Sequence, residues 1–443
     1  MPRAGIDNAA MAQLRLTRRP ILLVAITVLL TLVAVMLVAN FTGGEKKIER
    51  HIARHFALDA PGFAHELGAL LGPPFIGGNQ VKLLRNGDEI FPAMLDAINA
   101  AKTSITFETY IYWSGDIGQA FAAALTARAR SGVKVHVLLD WVGSAKMAPA
   151  LIDGMKAAGV QVQQFHPPHW SGLGRLNNRT HRKLLVVDGR TAFTGGVGIA
   201  PQWTGNAQDP AHWRDSHFQV QGPVVAQMQS VFLDNWIKVT GEVLHGPAYF
   251  APVGLVAPVG NSPAQMFSSS PTGGSESMQL MYLLSITAAS RSIDLSAAYF
   301  VPDTLAIQAL TSAMQRGVKL RIVVPGGHID SETVRSASRA TWGPLLQAGA
   351  VIAEYQPTMY HCKVMIVDGL LVSVGSTNFD NRSFRLNDEA TLNVLDAEFA
   401  RQQTAVFEQD LALARTISFA QWQDRPWREK AAERLASLVG SQL

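Results

Sequence analysis

The stretch THRKLLVVDG, residues 180–189, places His181 and Lys183 before four apolar residues, an aspartate and a glycine. Nearly the same string returns as YHCKVMIVDG at residues 360–369. In both copies the pattern predicts a strand that ends at a tight Asp-Gly turn. The histidine and the lysine of each copy lie on one face, because side chains alternate along a strand.

The elements around the two strings repeat in the same order. A strand-like segment at 100–112, a helical run and a second strand at 131–140 recur as 289–300, a helical run and 316–325. Strands that alternate with helices are typical of α/β units. The sequence therefore predicts an α/β fold of two duplicated lobes, each a mixed sheet flanked by helices.

The repeats and the composition divide the chain into seven segments. They are a basic N-terminal tail (1–20), an apolar transmembrane helix (21–39), a juxtamembrane segment (45–79), lobe 1 (80–240), a linker rich in proline and glycine (241–263), lobe 2 (264–415) and a helical C-terminal extension (416–443). With 443 residues, the chain is long enough for two domains that each have a core.

Residues 21–39 contain no charged side chain and can cross a bilayer core as a helix. A signal peptide is the weaker interpretation, because the run is too long and no small-residue cleavage site follows it. The arginines directly before the run favour a cytoplasmic N-terminus and an extracytoplasmic body. Beyond the run, Ile48, Ile52 and Phe56 recur among basic residues, which fits a helix on anionic headgroups or a solvated linker helix.

The charge of the chain argues against a large nucleic-acid footprint. The formal net charge is +4, and residues 1–20 contribute +3 from four arginines and one aspartate, which leaves +1 for the remainder. A nearly neutral body lacks the basic surface that nucleic-acid binding requires. The single cysteine, Cys362, excludes an intrachain disulfide and is compatible with either compartment.

The turn after each string determines which residues lie beside the histidine. If the turn consists of the Asp-Gly pair alone, His181 lies opposite Gly196 and, by the same count, His361 lies opposite Ser376. A histidine and a lysine on one face, beside glycines that let a ligand approach the backbone, form a seat that suits a phosphate. A polar strand edge is the alternative for one copy, but two copies in register exclude coincidence.

The spacing H-x-K-x4-D-x6-G-[GS]-x-N resembles the signature of the phospholipase D superfamily, and the resemblance covers about residues 80–415. The second copy carries every position: His361, Lys363, Asp368, Gly375, Ser376 and Asn378. The first copy carries His181, Lys183, Asp188, Gly195 and Gly196, with Gly198 where the family has asparagine. The stretches ETYIYWSGDIG, WRDSHFQVQGP and GSTNFDNRSFRLNDEA are similar to the bacterial cardiolipin synthase branch.

The resemblance implies a catalytic set and a supporting set. The catalytic set is His181, Lys183, Asp188, His361, Lys363 and Asp368, and the phosphate-binding or supporting set is Asn378, Gly196, Ser376, Asp215 and Glu389. By family analogy His181 attacks the phosphorus and forms a phosphohistidine, while His361 donates a proton to the leaving group. Histidine suits both roles because imidazole titrates near neutral pH.

Four of these side chains are carboxylates with different expected roles. Asp188 follows its histidine by seven positions on the opposite strand face, so we interpret it and Asp368 as groups that hold the turns. Asp215 and Glu389 each open the strand after their own motif. The resemblance favours these two as groups that orient the histidine rings, and strand-end solvation is the alternative.

The remaining histidine and tryptophan motifs are less informative. The HPPH string at 166–169 and the pair His51 and His55 lack further metal ligands, so neither a metal nor another cofactor is expected. Trp422 and Trp427 suit either a membrane interface or packing against the domain.

The resemblance implies an enzyme anchored in the bacterial inner membrane that joins two phosphatidylglycerol molecules into cardiolipin and glycerol. Its expected partners are the phospholipid substrate and the membrane, without nucleic acid. Three alternatives stay open. They are a hydrolase that releases phosphatidic acid, a noncatalytic lipid-binding relative suggested by Gly198, and a nuclease, which the anchor and the near-neutral body disfavour.

Overall fold

The computed structural model describes residues 20–36, 48, 50–53, 56–167, 177–251, 258–271 and 278–438. The chain divides into two compact units, of which the first contains helix α1 (residues 20–36) and the second contains the strands. Among the described residues, no helix has both the length and the apolar character that crossing a bilayer requires. His55, His169 and the end of the predicted transmembrane helix, residues 37–39, lie outside the described residues.

The second unit alternates strands with helices, as an α/β fold does. Its strands are β1 (Ile76–Arg85), β2 (Ser104–Thr109), β3 (Lys134–Asp140), β4 (Gln161–Phe165), β5 (Arg179–Thr180), β6 (Leu184–Val187), β7 (Thr191–Gly195), β8 (Ser216–Gln221), β9 (Ser262–Ser269), β10 (Ser292–Ala297), β11 (Phe300–Val301), β12 (Lys319–Pro325), β13 (Val351–Tyr355), β14 (Lys363–Val367), β15 (Leu371–Gly375), β16 (Phe379–Asp380), β17 (Asn387–Leu395) and β18 (Ala414–Ile417).

The helices of this unit lie between and after the strands. They are α2 (Phe63–Leu71), α3 (Asn86–Ala100), α4 (Asp116–Arg130), α5 (Pro149–Ala157), α6 (Val225–Thr240), α7 (Met278–Ala288), α8 (Thr304–Gln315), α9 (Glu332–Gln347), α10 (Asn381–Arg385), α11 (Ala397–Ala412), α12 (Phe419–Gln423) and α13 (Trp427–Leu438), with a 3₁₀ turn at Pro201–Trp203.

Within the described residues, sixteen strands form one mixed sheet that runs through both lobes. Its order is β18-β13-β12-β10-β14-β15-β17-β9-β1-β8-β7-β6-β2-β3-β4, and β5 pairs with β17. The antiparallel pair of β9 and β1 joins the two halves, and the strands follow in the same order from this pair toward each edge. Each half contains three neighbouring parallel strands. The predicted duplication is therefore present in the sheet, whose two halves join edge to edge.

Apolar side chains of β6 point alternately to the two faces of the sheet, which explains why helices cover both faces. Leu185 belongs to a core with residues of α3, α4 and α5, whereas Leu184 faces a second core that includes α6. This second core continues into lobe 2, where Phe218 of β8 lies 6.0 Å from Phe399 of α11 between ring centroids. A shared hydrophobic core thus holds the strand ends of both lobes in a defined arrangement.

The turns after β6 and β14 are one residue longer than the sequence predicts. Val187 pairs with Thr191, and Arg190 lies between them as an extra residue whose N–H donates to the Val187 carbonyl at 3.0 Å. In lobe 2, Val367 likewise pairs with Leu371. Both Asp-Gly pairs have positive φ, as a tight hairpin turn requires, but each ladder resumes one residue later. The predicted register of both hairpins is therefore wrong by one position, and neither ladder extends to its histidine.

The prediction of an interfacial or linker helix after the apolar run is wrong for the described residues. Residues 48, 50–53 and 56–57 have no helical backbone. Ile48, Ile52 and Phe56 pack instead against the core that contains α7 and α8. Burial of these apolar side chains in lobe 2 removes the exposed face that an interfacial helix needs.

Candidate active site

Each motif histidine follows a short stretch that pairs with the other lobe. Strand β5 runs parallel to the start of β17, and the N–H of His181 donates to the Asp388 carbonyl at 2.9 Å. In the second copy, Tyr360 forms a parallel bridge with Arg214, and the N–H of His361 donates to the Arg214 carbonyl at 2.8 Å. The backbone thus places His181 beside β17 of lobe 2 and His361 beside Arg214, just before β8 of lobe 1.

This crossing determines which carboxylate lies behind each ring. Nδ1 of His181 lies 3.0 Å from Oε1 of Glu389, and Nδ1 of His361 lies 2.7 Å from Oδ2 of Asp215. The structure brings both predicted carboxylates to the histidines, but each carboxylate belongs to the lobe opposite its histidine. A carboxylate that accepts from Nδ1–H leaves Nε2 as the reactive nitrogen of the ring.

The protonation states of these pairs follow from their burial. Burial lowers the pKa of His181 to about 4, although Glu389 opposes this shift. Burial together with Lys363 lowers the pKa of His361. Burial alone would raise the pKa of Glu389 and of Asp215, but the adjacent histidine and lysine outweigh it and lower both. In the free enzyme, both imidazoles are therefore neutral and both carboxylates are charged at neutral pH.

The two lysines bring positive charge to the same place. Nζ of Lys183 donates to the carbonyl of His181 at 2.8 Å, and Nζ of Lys363 donates to the carbonyl of His361 at the same distance. Burial and the charge of Lys363 lower the pKa of Lys183 to about 7. Burial also lowers the pKa of Lys363. A phosphate anion beside both lysines would favour their charged forms, so the pair suits a phosphodiester.

A cavity of about 330 Å³ lies above these groups and draws residues from both lobes. His181, Lys183, His361 and Asn378 line it. The other lining residues are Tyr110, Ile111, Trp113, Arg179, Trp203, Trp213, Tyr299, Asp330, Ser331, Val334, Asp380, Arg382 and Asn387. The cavity therefore combines the two motif histidines with an aromatic wall, as a site for a charged group on an apolar molecule does.

The two carboxylates receive their second hydrogen bond from different side chains. Ser376 Oγ donates to Glu389 Oε2 at 2.5 Å, whereas Trp203 Nε1 donates to Asp215 Oδ2 at 3.0 Å. The position of Ser376 corresponds to Gly196 in the first copy, where a Cβ would lie 2.3 Å from Asp215 Oδ1. Gly196 therefore leaves room for the Asp215 carboxylate, and an indole replaces the serine as donor.

Gly198, the one departure from the signature, makes room for the same indole. A Cβ at Gly198 would lie 2.7 Å from Cβ of Ile111 and 3.0 Å from Cζ3 of Trp203. Asparagine at this position would collide with both, so Asn378 has no counterpart in lobe 1. Sequence reasoning missed Trp203, and the glycine in place of asparagine was the signal that a large side chain occupies this space.

Aromatic rings surround the two histidines unequally. His361 has Trp203 at 5.2 Å and Trp213 at 5.5 Å between ring centroids, whereas His181 has Tyr110 at 5.2 Å. None of these three aromatic residues was predicted from the sequence, because the residues belong to loops and strand ends outside the signature.

Asp188 and Asp368 do not reach the histidines. The Asp188 carboxylate accepts hydrogen bonds from the backbone N–H groups of Lys102, Thr103 and Ser104, directly before β2. The Asp368 carboxylate accepts from three N–H groups at the corresponding place before β10. Their positions fit side chains that tie the hairpin turn to the start of a central strand, rather than side chains that contact a substrate.

Among the described residues, no group of three or more histidine, cysteine, aspartate or glutamate side chains is arranged to hold a metal ion. His181 and His361 each use one ring nitrogen to bind a single carboxylate. The cationic side chains that line the cavity are Lys183, Arg179 and Arg382.

Known proteins resemble this chain over most of its length. The family model described as the cardiolipin synthase, phospholipase D-like domain matches residues 94–236 and 282–411. A cardiolipin synthase of Geobacillus kaustophilus is 36% identical over 82% of this chain and 72% of its own length. Cardiolipin synthase A of Pseudomonas syringae pv. syringae is 34% identical over 83% of this chain and 75% of its own length.

Among solved structures, the phosphatidylserine synthase of Haemophilus influenzae aligns with a TM-score of 0.64 over 86% of this chain and 100% of that chain. Its sequence identity is 12%, so the likeness concerns the fold alone. The fold of this chain has two phospholipase D-like lobes of mixed α and β structure.

Proposed function

The chain belongs to the cardiolipin synthase family with phospholipase D-like domains, and we propose on that premise that it transfers a phosphatidyl group between two phosphatidylglycerol molecules. The products are cardiolipin and glycerol. The observation that carries the proposal is one cavity lined by His181 and His361, each with a buried carboxylate behind it. One imidazole can attack phosphorus while the other moves a proton.

In the first step, the neutral His181 attacks the phosphorus of the donor lipid through Nε2. The bond from phosphorus to the headgroup glycerol oxygen breaks, and the departing oxygen takes a proton from His361. The lowered pKa of His361 makes its protonated form a stronger acid, and the phosphate anion in the site favours that form. The step leaves a phosphatidyl group on His181 and a free glycerol.

In the second step, the headgroup hydroxyl of another phosphatidylglycerol gives its proton to the now neutral His361 and attacks the phosphorus. The bond from phosphorus to Nε2 of His181 breaks, and both histidines return to their starting states. Glu389 stabilises the positive charge that the His181 ring carries while it is phosphorylated. Atoms and protons therefore balance over the cycle.

Lys183, Lys363 and Asn378 stabilise the non-bridging oxygens in both transition states. Lys183 and Asn378 line the cavity, and Lys363 lies 3.2 Å from both ring nitrogens of His361. We assign Gly196, Ser376, Asp215 and Glu389 to positioning, and Asp188 and Asp368 to holding the two hairpins.

The location of the enzyme is part of the proposal. Residues 21–39 would anchor it in the bacterial inner membrane, with the body on the extracytoplasmic side. Lobes 80–240 and 264–415, joined by 241–263, would form the catalytic body between the juxtamembrane segment 45–79 and the extension 416–443. The near-neutral body supports a lipid substrate rather than nucleic acid.

Expression in a bacterium that lacks its own cardiolipin synthases tests this function. Lipid mass spectrometry should detect cardiolipin with the intact chain and none with the variant His181→Ala. Equal amounts of variant and intact protein in the membrane fraction provide the control. Absence of cardiolipin from cells that contain the intact protein would contradict the proposal.

Purified enzyme in phosphatidylglycerol vesicles separates transfer from hydrolysis. A phosphohistidine reacts with water or with an alcohol, so the proposal requires cardiolipin as the main product. Added glycerol should convert cardiolipin back into phosphatidylglycerol, because the covalent intermediate is reversible. Phosphatidic acid as the main product, unchanged by glycerol, would favour the hydrolase.

A further inference from the structure

Helix α13 presents an apolar ridge with cations beside it. Trp427 is 73% exposed and Leu435 is 69% exposed, the two highest values for large apolar side chains among the described residues. Ala431 lies between them on the same side of the helix, and the exposed Lys430 and Arg434 border the ridge. An isolated exposed leucine needs no explanation, but a contiguous tryptophan and leucine ridge does.

Ion pairs fix the orientation of this helix. On its opposite side, the buried Glu433 binds Arg339 at 3.2 Å and Arg425 at 2.7 Å, and Glu429 binds Arg339 at 3.2 Å. Glu429 and Glu433 are the two acidic residues of the helix. Because both bind Arg339, the row of Trp427, Ala431 and Leu435 is bordered by Lys430 and Arg434 without an acidic residue among them.

A shallow groove runs along the ridge. Its volume is about 780 Å³, and Trp422, Trp427, Lys430, Arg434 and Leu435 are among the residues that line it. Trp422 forms the bottom of the groove. Its ring packs on Phe419, and its Nε1–H donates to the Arg339 carbonyl at 2.7 Å. The two tryptophans that the sequence left undecided therefore differ, with Trp422 inside and Trp427 outside.

The ridge and the catalytic cavity are attached to the same helix. Val334 and Ser331, at the start of α9, line the cavity. Ala436 of α13 packs in one cluster with Val334, and Arg339 of α9 binds the acids of α13. Helix α9 therefore contacts both α13 and the cavity.

We propose that the outward side of α13 docks on an anionic lipid bilayer. Trp427 and Leu435 would enter the boundary between headgroups and acyl chains, and Lys430 and Arg434 would bind lipid phosphates. A second copy of the chain fits this surface poorly, because a symmetric contact would set these cations against one another. The surface is separate from the catalytic residues, so the proposal does not depend on which reaction the cavity performs.

Nitroxide labels on the full-length protein in lipid nanodiscs test the docking. Leu435→Cys places the label on the ridge, while the matched control Gln315→Cys places it at an exposed helical position at the end of α8, where the chain enters β12 away from the cavity. Cys362 is 1% exposed and remains unlabelled in the folded protein. The readout is the ratio of collisions with oxygen, which partitions into lipid, to collisions with a water-soluble nickel complex.

In discs of equal parts phosphatidylglycerol and phosphatidylcholine, the ratio at position 435 should exceed that at position 315 several-fold. The difference should shrink in discs of phosphatidylcholine alone and after the double change Lys430→Glu and Arg434→Glu. Equal ratios at the two positions in the anionic discs would overturn the proposal. So would protection at position 435 that appears only when two copies share a disc, because that result assigns the ridge to a protein contact.

Discussion

The two halves of the cavity have the same backbone plan and different side chains. On one side, His181 has Glu389 behind it, Ser376 supports the carboxylate, and Tyr110 lies beside the ring. The His181 ring is held mainly by hydrogen-bonding groups of the opposite lobe.

On the other side, His361 has Asp215 behind it, Trp203 supports the carboxylate, and Trp213 lies beside the ring. Lys363 lies against this ring, a contact that the structure does not repeat between Lys183 and the ring of His181 within the described residues. An ammonium group and two indoles make this the more confined of the two histidines.

The duplication gives the two halves a symmetric backbone, but the side chains around the two histidine rings differ. A charge-neutral ring with pKa about 4 is suited to attack, because it is not protonated at neutral pH. A confined ring beside an ammonium group binds a proton weakly and so releases it readily once substrate charge has brought it in. The two environments thus support separate roles for His181 and His361.

Removal of either ring should have the largest effect. His181→Ala and His361→Ala should each lower kcat on phosphatidylglycerol by at least about 10⁴-fold, because neither ring can take over the task of the other. A phosphatidyl ester with p-nitrophenol as leaving group separates the roles, since p-nitrophenolate leaves without a proton. His361→Ala should therefore release about one equivalent of p-nitrophenolate in a fast burst and then stall, because its second step still lacks a base, whereas His181→Ala should show no burst. The reverse pattern would exchange the two roles.

Replacement of the two carboxylates by amides should have the next largest effect. Glu389→Gln and Asp215→Asn should each lower kcat by roughly 10² to 10⁴-fold, because an amide no longer favours the required tautomer or the charged ring. The p-nitrophenyl ester should partly rescue Asp215→Asn, which acts through the proton donor, and should leave Glu389→Gln impaired. Equal rescue of both variants would show that the halves are not specialised.

Loss of the Trp203 indole, which takes the role in lobe 1 that Ser376 has in lobe 2, should have a smaller effect. Trp203→Phe removes one hydrogen bond to the charged Asp215, and a loss of about 1.5–3 kcal/mol corresponds to roughly a ten- to hundredfold fall in kcat. Trp342→Phe is the matched control, since Trp342 is buried in the core of lobe 2 and donates to Ser338. A Trp203→Phe enzyme as fast as this control would mean that the indole only fills space.

The pH dependence should be the mildest effect. As pH rises through about 7, Lys183 of the free enzyme loses its proton. The phosphate of the substrate then lacks this positive partner, so kcat/KM should fall by about tenfold per pH unit. Toward acid, His181 stays neutral until about pH 4, so protonation of this ring should lower the rate only below that pH. An initial-rate profile on phosphatidylglycerol micelles measures both limbs.

The variant Lys183→Arg distinguishes two causes of the fall in kcat/KM at alkaline pH. Arginine keeps its charge at every pH of the assay, so the fall should disappear if Lys183 causes it. A fall that persists would assign it to loss of the His361 proton. A rate that rises steadily above neutral pH in the unmodified enzyme would contradict the pKa assigned to Lys183.

The sequence predicts the duplication well because a repeated histidine, lysine and aspartate string survives in the linear order of residues. It does not reveal that Glu389 reaches His181, since that pairing depends on β5 running beside β17 of the other lobe. The hairpin register was wrong by one residue, because an Asp-Gly turn allows the ladder to resume at either of two positions. Trp203 was missed because its role depends on space that Gly196 and Gly198 leave in three dimensions.

The most direct test of the account is the location of the covalent intermediate. Enzyme mixed with phosphatidylglycerol, quenched in alkaline denaturant to preserve phosphohistidine and digested, should show the added phosphatidyl group by mass spectrometry on the peptide that contains His181. The same peptide from His361→Ala enzyme incubated with the p-nitrophenyl ester should accumulate the group, because the modified ring has lost its proton partner. A group found only on His361, or no covalent group in either experiment, would contradict the assignment of attack to His181.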